Sequence, residues 1–378
     1  MRHPFTFVAA SLAIAAICPI AQEMVPLFNG HDLAGWVNVN CAPETFRMTN
    51  GNVYCTGFPT GILRTERMYQ NFIVELEWRH LKAGGNSGFY IWSDPVTARG
   101  QPFTRAVEVQ VLDGQEGAGY TSDGDVFPIH GAKMVPKNGR GGDRAFPTER
   151  RMKPSPEWNH YRVECVDGDI ALAVNGKVVT RGHQATPRKG YIGLESEGSP
   201  AEFRNLRIHE LPASRALAPN DIAESADGFR PLYTGVDLRG WRADGDAGSS
   251  WKVQDWTLSA NGTGTGLTST VEYGDGVLIL DFRWPDKNRT GDWRQLLSTR
   301  FGPLLAGVNP GTPKAEKPPG EWNRLRVTLR GDRWNMNLNG TDLNAGDRSP
   351  GIPAKGTIAL RPGGLPVQFS NLYWKDLD

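Results

Sequence analysis

The chain has 378 residues, enough for two domains of ordinary size with full hydrophobic cores. Its 42 Lys and Arg residues balance 41 Asp and Glu residues, which argues against nucleic acid or a charged membrane surface as a partner. The 45 Gly and 27 Pro residues follow no collagen-like period and are typical of many short strands joined by tight turns.

The N-terminus has the pattern of a secretory signal. A positive tip precedes an apolar run from Phe5 to Ile20, and a small residue, Ala21, stands before a polar break. The run is too short for a firm membrane anchor. We therefore predict a signal peptide over residues 1–21, export to the periplasm or the extracellular space, and no integral membrane span after the signal is removed.

Three cysteines would remain in the exported protein. Cys41 and Cys55 flank a turn-rich segment and could form a disulfide in an oxidising compartment. The alternative, that these two and Cys165 are buried thiols, fits the sequence equally well.

Short alternating runs predict an all-β protein. Residues 72–79, 161–165 and 170–174 alternate between apolar and polar side chains, and Asn175-Gly176 after the third run is a strong hairpin signal. Long helical periodicity is absent from the sequence. Each strand is therefore expected to bury one face in a two-sheet antiparallel sandwich.

The sequence repeats itself with a deletion. LFNGHDLAGW at 27–36 returns as LYTGVDLRGW at 232–241, 205 residues later, whereas EWNHYRV at 157–163 returns as EWNRLRV at 321–327, only 164 residues later. The second copy thus lacks about forty residues between these motifs. We predict a site-bearing sandwich over 22–212, a linker over 213–227, and a degenerate second sandwich over 228–378.

Six motifs of the first copy carry a resemblance to a known family. They are LFNGHDLAGW, GGNSGFYIW at 84–92, AVEVQVLD at 106–113, GDVFPIHGA at 124–132, EWNHYRV at 157–163 with VNGKVV at 174–179, and GYIGLESEGSPAEFRNLRI at 190–208. Together they resemble the DUF1080 family, also called the 3-keto-disaccharide hydrolase domain, which implies tandem concanavalin A-like jelly-roll sandwiches. The second copy has RQLLSTRFG where EVQVLD is expected and lacks GDVFPIHGA.

The resemblance implies chemistry on sugars oxidised at C3. A ketone at C3 acidifies the proton on C2, so a base can remove that proton while the glycosidic oxygen leaves C1, and water then adds to the enone. Such a reaction needs a base, an acid and a group that stabilises the enolate. The alternatives are a non-catalytic carbohydrate-binding module and a conventional glycosidase with Glu108 and Glu197 as its two carboxylates.

The AVEVQVLD strand supplies the first catalytic candidates. Its three valines are the natural core face, which leaves Glu108 and Gln110 on the opposite, exposed face, where a groove would lie. Without the resemblance, this face could be an ordinary solvated surface. Asp113 closes the strand and is the second catalytic candidate, or a turn former.

His130 is the third catalytic candidate. It lies in the GDVFPIHGA segment, which we expect to be a loop pinned by an ion pair from Arg144, and long loops often carry function. His130 is a candidate base or metal ligand, although a lone loop histidine is more often a surface residue. A divalent ion held by His130 and Glu108, with Asp113, remains open, since no strong metal-binding spacing occurs.

Six further residues are predicted to bind a carbohydrate substrate. Amides and aromatic rings on a groove face suit sugar hydroxyls and the apolar faces of pyranose rings, although core packing is the alternative for Trp92. Two carboxylates of GYIGLESEG share one strand side and could bind a cation or be edge charges. The predicted residues are Asn86, Tyr90, Trp92, Gln110, Glu195 and Glu197. Because every candidate precedes Pro212, the second copy is not expected to be needed for chemistry.

Overall fold

The computed structural model describes residues 23–114, 122–213, 216–225, 228–243, 245, 247–263, 266–308, 315–344 and 346–377. These residues form four antiparallel sheets, arranged as two sandwiches in sequence order. The predicted signal peptide lies outside the described residues. Within the described ranges, no helix is both long enough and apolar enough to cross a membrane.

The first sandwich spans residues 25–211. Its strands are β1 (Val25–Pro26), β2 (Trp36–Asn38), β3 (Phe46–Thr49), β4 (Asn52–Cys55), β5 (Gly61–Thr65), β6 (Asn71–His80), β7 (Asn86–Ser93), β8 (Ala106–Leu112), β9 (Val126–Ile129), β10 (Lys133–Pro136), β11 (Asn159–Val166), β12 (Asp169–Val174), β13 (Lys177–Thr186), β14 (Tyr191–Ser196) and β15 (Ala201–Leu211). A nine-stranded sheet has the order β10-β13-β12-β11-β6-β15-β4-β3, with β1 paired to β15. A six-stranded sheet has the order β2-β5-β14-β7-β8-β9.

The second sandwich spans residues 230–376. Its elements are β16 (Arg230–Pro231), β17 (Trp241–Ala243), α1 (Ala247–Ser250), β18 (Trp251–Gln254), β19 (Thr257–Ala260), β20 (Leu267–Tyr273), β21 (Gly276–Arg283), β22 (Leu297–Thr299), α2 (Gly302–Ala306), β23 (Asn323–Arg330), β24 (Arg333–Leu338), β25 (Thr341–Asp342), β26 (Asp347–Arg348), β27 (Gly356–Leu360) and β28 (Val367–Asp376). Its nine-stranded sheet follows β18-β19-β28-β21-β23-β24-β25, with β16 on β28 and β26 on β24. The facing sheet, β17-β20-β27-β22, has four strands.

The deletion seen in the sequence removes two strands. The order β17-β20-β27-β22 reproduces β2-β5-β14-β7, so β8 and β9 have no counterparts among the described residues of the second sandwich. RQLLSTRFG was expected to replace EVQVLD, and this is wrong. Residues Leu297–Thr299 of that segment pair with β27 as β7 pairs with β14, and helix α2 follows where β8 would begin.

The core of the first sandwich lies between its two sheets. Val107, Val109 and Val111 are fully buried there, as their alternation predicted, and Trp78 packs edge-on against Tyr161 across the β6–β11 pair. Cys41 and Cys55 are buried and unbridged, so the thiol alternative describes this structure.

The second sandwich packs on the outer face of the six-stranded sheet. Ile62, Tyr90 and Ala106 from that face form one apolar cluster with residues of the second sandwich, chiefly Phe229, Val277, Ile279 and Tyr373. This is the face on which Glu108 lies. The expectation that the second copy is not needed for chemistry stays a prediction, although separating the copies would expose this apolar contact.

We predict that Val109→Asp prevents the first sandwich from folding. Val109 is fully buried, and an unpaired carboxylate there should lower the free energy of unfolding by at least about 3 kcal/mol. Denaturant unfolding followed by tryptophan fluorescence measures the loss. Val178→Asp is the control, since Val178 is 40% exposed and should tolerate the charge. Equal stability of the two variants would show that the strand faces are assigned wrongly.

Candidate active site

Two buried carboxyl groups meet above a glycine on the six-stranded sheet. Glu108 on β8 and Glu195 on β14 flank Gly88 on β7, because β7 lies between these two strands. A Cβ atom at Gly88 would lie 2.8 Å from Oε2 of Glu195 and 2.9 Å from Oε1 of Glu108. The missing side chain therefore provides the space in which the carboxyl groups face each other.

Burial favours the protonated form of both carboxyl groups, so the pair holds a proton at neutral pH. Burial raises the pKa of Glu108 to about 8, with a further contribution from Glu197, while Arg144 acts in the opposite direction. Burial, and then the charge of Glu108, raises the pKa of Glu195 well above its usual range. Oε2 of Glu195 has no hydrogen-bond partner among the described residues. The pair therefore combines a carboxyl oxygen that has no protein partner with a proton that is available for transfer.

Tyr90 connects the pair to the interface between the sandwiches. Its hydroxyl donates to Oε1 of Glu195 at 2.6 Å, and its ring lies edge-on to Phe103 with centroids 6.5 Å apart. The hydroxyl bond lowers the pKa of Glu195 against the larger effect of burial. Within the pair, the Arg144 guanidinium favours the negative charge on Glu108, and Glu195 is better placed to hold the proton.

A chain of amide hydrogen bonds orients a third carboxyl group. Nε2 of Gln110 donates to Oδ1 of Asn86 at 2.7 Å, and Nδ2 of Asn86 donates to Oε2 of Glu197. Burial raises the pKa of Glu197. Five of the six predicted substrate-binding residues therefore lie beside Glu108 on one sheet face.

One wall of the site was missed by the sequence analysis. Asp125 is fully buried, accepts hydrogen bonds from Ser122, and pairs with Arg144 at 3.1 Å. The Arg144 guanidinium lies 3.3 Å from the ring centroid of Phe127, which pairs with Glu108 across β8 and β9. The ion pair of Arg144 was expected, but the expectation of a loop is wrong, because residues 126–129 form an edge strand. The alternation of Asp125, Phe127 and Ile129 was the available signal.

Trp92 is not on the groove face, and its prediction as a substrate-binding residue is wrong. The β7–β14 pairing has a bulge between Tyr191 and Gly193, and Trp92 itself has a φ of 54°. The shift turns the indole into the core, where it is fully buried against Phe72 and donates to the carbonyl of Gln70. Simple alternation fails at this residue because the bulge changes its register.

Two expectations about exposure also need correction. Glu108 and Gln110 face away from the core as predicted, but they are 6% and 4% exposed, not solvated. Neighbouring side chains and the second sandwich cover the sheet face, which alternation alone does not predict. Glu195 is 1% exposed on a strand between β5 and β7, so it is not an edge charge.

The other two catalytic candidates lie away from the carboxyl pair. Asp113 accepts from the backbone N–H of Gly84 at 2.9 Å, which fits the turn-forming alternative, and stands five residues from Glu108, about 16 Å along an extended strand. His130 has a φ of 50° beside Gly131, in the turn after β9. Its ring stacks on Phe103 with centroids 6.2 Å apart.

His130 lines a cleft whose lining includes neither Glu108 nor Glu195. This cleft of about 630 Å³ lies between the sandwiches and is also lined by Asp94, Arg105 and Arg324. Burial lowers the pKa of His130. The described part of the chain contains no group of three or more His, Cys, Asp or Glu side chains arranged to hold a metal ion. The joint ion site of His130, Glu108 and Asp113 is thus not formed, and the need for a metal stays a prediction.

The fold and the site define an all-β sandwich protein with buried acid–base groups on a covered sheet face. The sequence profile of the 3-keto-alpha-glucoside-1,2-lyase-like domain family matches residues 23–209 and 285–375. Because these segments make up more than half of the chain, the protein belongs to this family.

Three similar proteins have low sequence identity to this chain. A 3-keto-disaccharide hydrolase of Bacteroides thetaiotaomicron is 22% identical over 235 residues, which are 50% of this chain and 79% of the relative. A Parabacteroides distasonis protein provisionally described as a glycosyl hydrolase is 21% identical, with a TM-score of 0.41, over 51% of this chain and 95% of its own. The carbohydrate-binding module CBM66 of Bacillus subtilis is 13% identical, with a TM-score of 0.34, over 47% of this chain and 96% of its own.

We predict that Gly88→Ala lowers activity without unfolding the protein. The added methyl would lie under 3.0 Å from both carboxyl groups and would force them apart. Gly193→Ala is the matched control on β14, because its methyl would meet Cγ2 of Ile62 at 3.1 Å and Cβ of Tyr90 at 3.4 Å, but no carboxyl group. We expect kcat to fall by roughly a hundredfold in the first variant only. Equal kinetics in the two variants would contradict the role of the carboxyl pair.

We predict that Glu108→Gln trades activity for stability at alkaline pH. The folded-state pKa of Glu108, about 8, lies above its ordinary value of 4.5. Its contribution to stability is therefore complete below about pH 4.5 and is lost as the pH rises towards 8, by at most ~1.4 kcal/mol per pH unit. Glutamine has no proton to lose, so urea unfolding between pH 5 and 8 should give the variant the shallower decline.

Glu164→Gln is the control for this experiment, since Glu164 is a surface residue whose side chain is 46% exposed. It should leave both the pH dependence of unfolding and the activity unchanged. If Glu108→Gln follows the wild-type pH dependence, Glu108 titrates normally in the folded protein and the proposed burial effect is absent.

Proposed function

We propose that the protein cleaves 3-keto-glycosides by removing the C2 proton, eliminating the glycosidic oxygen and hydrating the product. The observation that carries this proposal is the buried Glu108–Glu195 pair on the covered sheet face of a member of this family. A pair of interacting carboxyl groups that holds one proton offers a base and an acid at the same time. This is what the elimination requires.

The residues divide the reaction as follows. Glu108 holds the negative charge with help from the Arg144 guanidinium and takes the proton from C2. The electrons of the C–H bond form the C1–C2 double bond, with the C3 ketone as electron sink, while the C1–O bond breaks. Glu195, oriented by the Tyr90 hydroxyl, gives the proton on its free Oε2 to the departing oxygen. The products are an alcohol and an enone, and the pair again holds one proton.

Hydration returns the site to its starting state. The charged Glu195 takes a proton from water as the water oxygen adds to C1, and Glu108 returns its proton to C2. The sum of both steps is hydrolysis to a 3-keto sugar and an alcohol. The chain Gln110–Asn86–Glu197 borders the same face and offers amide and carboxyl groups to sugar hydroxyls. We further propose that the protein acts outside the cytoplasm, on the basis of the signal pattern over residues 1–21.

The test compares a 3-keto-disaccharide with its unoxidised parent. We expect turnover of the keto sugar only, because the parent has no acidic C2 proton. In D2O, deuterium should appear at C2 of the released 3-keto sugar. Turnover of both sugars without deuterium at C2 would favour a conventional two-carboxylate glycosidase. Binding of either sugar without turnover by the freshly purified protein would favour a carbohydrate-binding module.

A further inference from the structure

The second sandwich forms hydrogen bonds with one loop of the first. Residues 94–105 connect β7 to β8, and the base of this loop is closed by a two-bond ion pair between Asp94 and Arg105, both bonds 2.8 Å long. The far part of the loop lies over the groove face and reaches towards the other edge of the sheet. There Asn40, which follows edge strand β2, donates to the carbonyl of Pro102 at 2.9 Å. The loop is therefore a cover for the site, and it needs support at its tip.

A buried acid in the second sandwich provides this support. Asp281 is fully buried and accepts the backbone N–H of Gly100 at 2.8 Å. Nδ2 of Asn371 donates to the same carboxylate at 2.7 Å, and also to the carbonyls of Ala98 and Gln101 at 3.0 and 3.1 Å. The hydrogen bonds thus hold the loop through its backbone.

Two more side chains of the second sandwich complete the grip. Arg324 pairs with Asp281 through two bonds, of 2.7 and 2.8 Å, and also donates to the carbonyl of Thr97 at 2.8 Å. The hydroxyl groups of Tyr373 and Thr97 are 2.8 Å apart. We name Asp281, Arg324, Asn371 and Tyr373 the loop clamp.

Three residues of the loop clamp have counterparts in the first sandwich, and these counterparts hold no loop among the described residues. His160 pairs with Glu77 in the strand register as Arg324 pairs with Asp281, and Asn205 occupies the position of Asn371 in the repeated FRNL and FSNL motifs. Asn205 is exposed and donates to Glu77, whose side chain is 26% exposed. The same positions thus bind a loop in one copy and face solvent in the other.

The clamped loop reaches the carboxyl pair through two aromatic rings. Phe103 lies three residues from Gly100 and packs edge-on against Tyr90, whose hydroxyl bonds Glu195. A displaced loop would withdraw Phe103, admit water to Tyr90 and loosen the hydrogen bond that orients Glu195. We propose that the loop clamp is a set of positioning residues, through which the second sandwich completes the active site of the first.

This proposal rests on the proposed function only for its kinetic readout. The test uses the full chain with Asn371→Gly, which removes the amide and keeps a residue suited to the φ of 51°. Asn205→Gly is the matched control, because Asn205 has a φ of 52° in the same motif of the first sandwich. Tyr373→Phe is a second variant, which loses only the hydroxyl that contacts Thr97 and keeps the buried ring.

We expect Asn371→Gly to increase amide hydrogen exchange in residues 97–103 and to lower kcat/KM for the 3-keto-disaccharide by roughly tenfold or more. The pH–rate limb set by the carboxyl pair should shift. Tyr373→Phe should act in the same direction and more weakly, and Asn205→Gly should change none of these. Faster loop exchange with an unchanged pH profile and unchanged kcat/KM would overturn the proposal.

A further readout does not depend on turnover. The slope of unfolding free energy against pH reports the pKa values of the carboxyl pair whether or not any sugar is cleaved. If the wild type cleaves no keto sugar, the proposed function fails, yet a changed slope in Asn371→Gly and not in Asn205→Gly would still support the clamp. An unchanged slope together with unchanged loop exchange would overturn it.

Discussion

The site depends on the cost of keeping two carboxyl groups in a dry interior. Removing a carboxylate from water is so unfavourable that such a group keeps its proton unless a partner stabilises its charge. Glu108 and Glu195 share this constraint above Gly88, with one hydroxyl bond from Tyr90 as direct compensation. The core beneath them is fully apolar along the opposite face of β8, and burial of its side chains supplies the stability that offsets this cost. Strand alternation thus places the residues for stability and the residues for chemistry on opposite faces of one strand.

The second copy illustrates what happens when the constraint is removed. It has no counterpart of β8 within its described residues, and therefore none of Glu108. The strand registers place Ser298 where the first copy has Tyr90 and Arg361 where it has Glu195, and Nε of Arg361 donates to Oγ of Ser298 at 2.9 Å. A hydroxyl–cation bond thus replaces a hydroxyl–carboxyl bond. The surface by which this copy packs on the first sandwich lies elsewhere, on the outer face of its nine-stranded sheet.

The sequence predicted which residues share a face better than it predicted what covers that face. Alternation placed Glu108 opposite the three core valines, because a period of two is a local property of a strand. It did not predict the burial of Glu108, which arises from contacts between distant segments. The prediction that Trp92 binds substrate failed because the sequence pattern does not reveal a bulge. His130 was given too much weight because GDVFPIHGA was interpreted as a loop and not as strand β9 followed by a turn.

The interface between the copies divides its work between apolar and polar groups. The cluster around Ile62, Ile279 and Tyr373 removes apolar surface from water, an effect that has little directional preference and would survive a small sliding of one sheet over the other. The hydrogen bonds of Asp281 and Asn371 are directional, and they contact backbone groups whose positions are fixed along the loop. Sliding by one residue would break the bond from the Gly100 N–H to Asp281 and would leave the loop carbonyls without their Arg324 and Asn371 donors, at a cost larger than the bonds are worth when made. The apolar contact therefore supplies affinity, and the buried acid fixes the register in which the loop covers the site.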